Sequence, residues 1–236
     1  MTQVLILEDD DGIRTSLRMA LEDAGYVVSD AARAEDALAV VADGTVDLML
    51  VDLMLGGMDG YTFIRRARPE SDAPIIVISA REDTADIVAA LEAGADDYVT
   101  KPFVVQELVA RLRALRRRGP RVGDSDVARD DADTLVLDSR EPELVLDGGA
   151  GQVRRGGDDV LLTVTEYRLL RELASPPGRV RSRPSLLEAV WDRGFFGDER
   201  IVDVHIRRLR TKIEHDPGGP DIVVTVRGLG YRLDLW

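Results

Sequence analysis

Over its first 118 residues the chain repeats one pattern five times: a short apolar run, in two cases opened by an Asp, then a longer stretch where apolar residues return every three or four positions. The runs fall at 4–7, 26–28, 47–51, 75–78 and 97–99, and the periodic stretches at 13–24, 34–42, 60–67, 84–93 and 106–117. Apolar runs of this length suit strands covered on both faces, and strand–helix alternation suits a parallel sheet sandwiched between helices. The spacing therefore predicts an α/β domain at 1–118, built on a five-stranded, doubly wound parallel sheet.

The pattern then changes. Residues 119–142 are rich in Asp and Gly, with one apolar run at 135–137, and read as a flexible acidic linker that can add one strand to the next domain. Residues 143–236 begin with short strands at 144–146, 152–154 and 160–162, separated by glycines. Thr163 and Glu166 fit a capping box opening a helix that carries Tyr167, Leu169, Leu170 and Leu173. Pro176, Pro177 and Gly178 stop it, and Ser182 with Pro184 starts a second helix ending near Trp191. A third helix at 199–214 has Val202, Ile206, Leu209 and Ile213 on a core stripe, with Arg200, Val204, Arg207, Arg208 and Thr211 around the other side. A hairpin at 223–226 and 231–233, with Arg227 at its tip, closes an α+β domain.

Composition adds limits. At 236 residues and 44% hydrophobic content the chain has material for two cores. It has no cysteine, which removes disulfides, thiolate nucleophiles and cysteine-held metals and makes the cytoplasm the expected location. No apolar run approaches the roughly 20 residues that span a bilayer, and the N-terminus lacks a signal-peptide pattern. The formal charge of −13 speaks against nucleic acid until it is divided. Residues 1–118 hold 13 basic and 22 acidic residues, 119–147 hold 3 and 9, and 148–236 hold 15 and 13. The last third can thus present a local basic face to a polyanion.

The strand ends carry the candidate chemistry. The first strand runs into Glu8, Asp9, Asp10 and Asp11, the third ends at Asp52, the fourth at Ser79, and the fifth at Thr100, Lys101 and Pro102. Open parallel sheets gather their chemistry at the carboxyl edge, so carboxylates, a hydroxyl and an ammonium are expected in one pocket. Clustered acids need a cation, and hard oxygen ligands suit Mg²⁺. Asp52 could then attack a phosphoryl group while Lys101 offsets charge on the transferred oxygens. Asp10 and Asp11 serve equally well as plain helix caps. In the third helix of the second domain, a guanidinium face with Val204 among it is what entry into a DNA major groove would need, arginine for guanine or phosphate and valine for a thymine methyl.

The segments LILEDD, LVDLML, VISA and GADDYVTKPF, in that order, resemble the receiver domain of two-component response regulators. LTVTEYRLL, SLLEAVW, RIVDVHIRRLRTKIE and VTVRGLGYRL resemble the winged-helix DNA-binding domain of the OmpR/PhoB type over 143–235. The resemblance implies metal acids at Glu8 and Asp9, a phosphoacceptor at Asp52, a metal-binding carbonyl at Met54, switch residues at Ser79 and Tyr98, and a conserved-type lysine at Lys101. It places Arg200, Val204, His205, Arg207, Arg208 and Arg210 at or beside DNA, and Arg227 in the minor groove; for His205 the helix wheel favours packing or phosphate contact. Ile87, Asp96, Asp97, Glu107, Arg111 and Arg118 would form the dimer face. Two departures stand out: Gly56 where the family typically has proline, and Ile87 where relatives often carry a base. The loop at 192–199, with Phe195 and Phe196, corresponds to a segment that meets RNA polymerase. The implied protein is a phosphorylation-dependent, homodimerising transcription regulator served by a histidine kinase and Mg²⁺. Two other readings are a phosphoaspartate hydrolase, which lacks a second acid because Met54 stands at that position, and a DNA-binding protein whose receiver only dimerises.

Overall fold

The computed structural model describes residues 1–116, 134–191 and 199–236. The chain divides into two compact units, 1–117 and 118–236. In the first, β1 (Gln3–Leu7), β2 (Val27–Ala31), β3 (Leu48–Asp52), β4 (Ile75–Ser79) and β5 (Asp97–Thr100) form a parallel sheet in the order β2-β1-β3-β4-β5. Helices α1 (Asp11–Asp23), α2 (Ala34–Ala42), α3 (Gly60–Ala67), α4 (Thr84–Ala93) and α5 (Val105–Arg116) alternate with the strands. Alternate strand residues Val4, Ile6, Leu48, Leu50, Ile76, Ile78 and Val99 join Leu17 and Leu21 of α1 and Leu108, Leu112 and Leu115 of α5 in one buried core. All residues of β3 and β4 are buried, which is why these runs show no polar alternation.

Chain order reverses between β1 and β3, and crevices at such switch points are where open sheets bind ligands. Register does the rest. Leu7 lies opposite Val51, so Glu8 falls beside Asp52; Asp52 lies opposite Ile78, so Ser79 is one step further; Ser79 lies opposite Thr100, so Lys101 comes next. Local caps fix the turns between. The Asp10 carboxylate accepts from the Ile13 amide at 2.8 Å and starts α1, and Asp59 accepts from Thr62 at 2.7 Å and starts α3. A Cβ added at Gly60 would lie 2.2 Å from the Asp52 carbonyl oxygen, so only glycine lets α3 begin directly under the Asp52 backbone.

In the second unit β6 (Thr134–Asp138), β7 (Leu144–Asp147), β8 (Gln152–Arg155) and β9 (Asp158–Asp159) make an antiparallel sheet. Residues 134–138, expected in the linker, are thus the first strand of this sheet; Leu137 is buried and ties to the C-terminal Trp236 amide at 3.2 Å. The strand expected at 160–162 is replaced by the two-residue β9 just before it. Helices α6 (Val164–Leu173), α7 (Arg183–Trp191) and α8 (Arg200–Ile213) come next in the chain, then the hairpin of β10 (Val223–Val226) and β11 (Gly230–Leu233). The Thr163–Glu166 capping box is present at the start of α6. Val202, Ile206, Leu209 and Ile213 are all fully buried. Among the described residues no helix is long and apolar enough to cross a membrane.

Candidate functional site

Lys101 organises the pocket at the carboxyl edge of the first sheet. Its Nζ donates to Glu8 Oε2 and to Asp52 Oδ2, each at 2.7 Å. Oxygens of Glu8, Asp9 and Asp52 lie within 4.8 Å of one another. Glu8 and Asp52 are buried whereas Asp9 is open to solvent. Asp52 Oδ1 accepts from the Met54 amide at 3.0 Å, and Asp9 Oδ2 accepts from the Gly56 amide at 3.3 Å. The Lys101–Pro102 bond is cis.

Three carboxylates against one ammonium leave two formal negative charges, which suits a divalent cation, and every donor on offer is a hard oxygen. Burial raises the Glu8 pKa, with the Lys101 hydrogen bond opposing and the Asp52 charge adding to the rise. Burial also pulls Lys101 down, but its hydrogen bonds to Asp52 and Glu8 outweigh it and hold the ammonium above its usual value.

Ser79 is buried at the end of β4, and its Oγ accepts from the Arg81 amide at 3.4 Å. Tyr98 is buried as well and donates its phenol proton to the Arg81 carbonyl at 2.6 Å. Burial raises the Tyr98 pKa, and the Ser79 hydroxyl partly opposes the rise. Arg81, just after β4, is therefore held through its amide by Ser79 and through its carbonyl by Tyr98, the two expected switch residues. Asp10 caps α1, while the exposed Asp11 pairs with Arg14.

The expected dimer face needs correction. Asp96 is fully buried, bonded to Arg68 and to the Ile75 amide at 3.0 Å, so it cannot reach a partner. Asp97 is buried too and pairs inside the chain with Arg111 at 3.1 Å. Asp96 directly precedes β5 and Asp97 opens it, and each is turned to a partner inside the chain rather than outward. Ile87 sits half-buried on α4. The Glu107 side chain and Arg118 lie outside the described residues.

The expected DNA face is also narrower than the helix wheel suggested. Arg200, Arg207 and Thr211 are exposed along one line of α8. Val204, at 7% exposure, is buried and cannot meet a thymine methyl from this position. His205 is fully buried with its ring 5.3 Å from that of Trp191, a packing role. Arg208 pairs at 3.1 Å with Glu166, whose carboxylate also takes Lys212 at 2.7 Å. Arg210 donates to the Val223 carbonyl at 2.8 Å and to Thr225 Oγ1 at 2.8 Å, tying the hairpin to the helix. The reason is that α6 and α7 pack against α8 and the hairpin bonds to it, so several of its flanking side chains are taken up inside the unit. Arg227 is exposed at the hairpin tip as expected.

Residues that sequence reasoning passed over brace this face. Asp203 Oδ1 accepts from the Tyr231 hydroxyl at 2.5 Å and from Arg183 Nε at 2.6 Å. A Cβ added at Gly230, which has φ +139, would come 2.0 Å from the Arg181 carbonyl oxygen, marking where the hairpin crosses the entry to α7. Phe195, Phe196 and the rest of 192–198 lie outside the described residues.

Comparison with known proteins bears on both units. Residues 4–113 match the response regulator receiver domain, and 157–233 match the transcriptional regulatory protein C-terminal domain. The chain is 44% identical to the transcriptional regulatory protein AfsQ1 of Streptomyces coelicolor over 99% of both chains. It is 48% identical to CseB of Streptomyces avermitilis, covering 98% of this chain and 97% of that one. It is 41% identical to the sensory transduction protein RegX3 of Mycobacterium tuberculosis, covering 99% of this chain and 100% of that one. A solved structure of a RitR mutant superposes with a TM-score of 0.74 at 28% identity, with complete coverage of both chains. The chain belongs to the response regulators of the OmpR/PhoB type, a receiver domain followed by a winged-helix DNA-binding domain. It is a phosphorylation-dependent transcriptional regulator of a two-component system.

Proposed function

We propose that Asp52 accepts the phosphoryl group, with Glu8, Asp9, Asp52 and the Met54 carbonyl holding Mg²⁺ and Lys101 stabilising the product. The observation that carries this reading is Lys101 Nζ at 2.7 Å from both Glu8 and Asp52, on a pocket that keeps two net negative charges. A carboxylate oxygen of Asp52 bonds to phosphorus as the bond to the kinase's histidine nitrogen breaks; that nitrogen then regains a proton. Bound Mg²⁺ supplies charge neutralisation of the phosphoryl oxygens. Lys101 exchanges part of its contact with Asp52 for a phosphoryl oxygen, and Ser79 Oγ turns to donate to another. That turn withdraws Ser79 from the Arg81 amide, so the segment leading to α4 is freed from one of its two ties.

The downstream consequence is a homodimer through α4, with Ile87 as an apolar contact in place of an ion pair. Pairing raises the local concentration of two DNA-binding units on half-sites about one helical turn apart. Arg200 and Arg207 of α8 enter the major groove and Arg227 the minor groove, while the segment 192–199 serves RNA polymerase in the cytoplasm. The reading is that of a regulator, not an enzyme with turnover on free substrates.

The test uses Mg²⁺ and acetyl phosphate on the wild type and on Asp52→Asn. The wild type should gain the mass of one phosphoryl group, a larger dimer fraction and tighter promoter binding, and the variant none of these. Equal DNA affinity with and without the adduct would instead support a receiver that only dimerises, and continuous phosphate release from varied esters would support a hydrolase.

A further inference from the structure

Arg14, on α1, turns its guanidinium toward the back of the acidic turn. Its Nη1 donates to the Glu8 carbonyl at 2.8 Å and to the Asp9 carbonyl at 3.3 Å. Nε donates to Asp30 Oδ2 on β2 at 3.1 Å, and Nη2 pairs with Asp11. The side chain is only 15% exposed although it sits at the start of a surface helix. Its two carbonyl partners belong to the two residues whose carboxylates open the phosphoryl pocket. A carbonyl tethered on its far side cannot rotate about its peptide axis, so the directions in which the Glu8 and Asp9 side chains leave the backbone are set. The Glu8 amide, bonded to the Ala31 carbonyl at 3.1 Å, is pinned from the other side. Arginine suits this task because its planar fork serves several acceptors at fixed angles, which a lysine ammonium cannot reproduce.

We propose that Arg14 is a positioning residue for the divalent-cation site, clamping the Glu8–Asp9 backbone so that both carboxylates are aimed before the cation arrives. The inference rests on the reading that Glu8, Asp9 and Asp52 hold that cation. Its sign separates it from plain electrostatics. A guanidinium near a cation site repels the cation, so charge alone predicts tighter metal binding when Arg14 is neutralised. A lost clamp predicts weaker binding, because the carboxylates must then be ordered at the moment of capture.

The experiment measures uptake of Mn²⁺, an oxygen-liganded ion like Mg²⁺, from the electron paramagnetic resonance signal of the free ion. The full-length wild type, Arg14→Gln, Arg14→Lys and Asp9→Asn are compared, with thermal unfolding as the folding check. Both Arg14 variants should bind Mn²⁺ about tenfold more weakly than the wild type, the size typical of residues that orient metal ligands. Arg14→Gln binding as tightly as the wild type, or more tightly, overturns the proposal. Should Arg14→Gln fail to fold, Arg14→Lys decides: it keeps the charge, so affinity equal to the wild type overturns the clamp. A wild type that takes up no Mn²⁺, or an Asp9→Asn that binds as well as the wild type, overturns the cation-site reading itself.

Discussion

The acid pocket of the first unit and the arginine face of the second were both anticipated from charged residues at regular positions, yet only the pocket assembled as the pattern implied. In the pocket, side-chain placement is dictated by strand register: once Leu7 pairs with Val51 and Ser79 with Thr100, the residues just past each strand must meet. On α8 the same kind of positional reasoning stops at the helix surface, because a wheel gives directions but not neighbours. Arg208 points away from the core stripe and Arg210 flanks it, and they are nevertheless engaged by Glu166 and by the hairpin. A parallel sheet therefore transmits sequence order into three dimensions more faithfully than a helix enclosed on several sides.

The sharpest way to break this comparison is to remove the buried acid that engages two cations of α8. Glu166→Ala strips Arg208 and Lys212 of their shared partner and removes half of the capping box. Deleting one member of a buried ion pair costs about 3–5 kcal/mol, and that loss is expected in the second unit alone. Both tryptophans, Trp191 and Trp236, lie in that unit, so urea unfolding monitored by tryptophan fluorescence reports on it selectively. A midpoint unchanged from the wild type would mean that the α8 arginines are held by something other than Glu166.

The next effect is spread over pH and belongs to the first unit. Burial pushes the Asp97 carboxyl up to about 6, against the pull of Arg111. With the folded value above the ordinary 3.8, the native state keeps a proton that the unfolded chain has lost, so this group's contribution to stability is complete below about pH 4 and declines until about pH 6. Asp97→Asn should abolish that decline, gaining on the wild type as pH rises through the window. Far-UV circular dichroism at pH 4, 5, 6 and 7, with the tryptophan-detected transition subtracted, checks it. Parallel pH profiles for the two proteins would show that Asp97 titrates like an exposed acid.

The parts of the molecule legible in sequence were those that local chemistry decides. The five strand–helix units, the pocket acids with Lys101, the Thr163–Glu166 box and the Val202–Ile206–Leu209–Ile213 stripe all come from periodicity, caps or chain order. The misses each needed a partner distant in sequence. Asp96 and Asp97 look like outward acids of a dimer face until Arg68, just past α3, and Arg111 of α5 arrive. Residues 134–138 look like linker until β7 supplies the other half of the ladder. Arg14 carries no sequence signal for its contacts with the Glu8 and Asp9 carbonyls, since backbone acceptors are invisible in a residue string.

On DNA, adjacent arginines should split in their effects. Arg207→Ala, on the exposed line of α8, should cost about 1–3 kcal/mol of promoter affinity with little change in the unfolding midpoint. Arg208→Ala should do the reverse, lowering stability while leaving base preference at saturating protein concentration unchanged. Fluorescence anisotropy on a promoter duplex, paired with tryptophan-detected unfolding, separates the two. Loss of base preference in Arg208→Ala would return that residue to the groove and restore the simpler helix-wheel reading.

The smallest effect tests whether helix surfaces in the first unit hide partners as α8 does. Tyr61, on α3, donates its phenol proton to Asp86 Oδ1 on α4 at 3.1 Å, and Asp86 also takes Arg81 at 3.0 Å. Burial, with the Asp86 bond adding to it, pushes the Tyr61 phenol up to about 12. Tyr61→Phe keeps the ring and deletes one part-buried hydrogen bond to a carboxylate that retains its arginine, so about 1 kcal/mol of first-unit stability should go. The raised value gives the difference a pH signature. The wild type's advantage should hold up to about pH 10, the ordinary tyrosine value, and shrink as pH climbs toward 12, where the native phenol loses its proton and with it the bond. An advantage that stays constant across that range would mean that the ring's packing, and not its hydroxyl, couples α3 to α4.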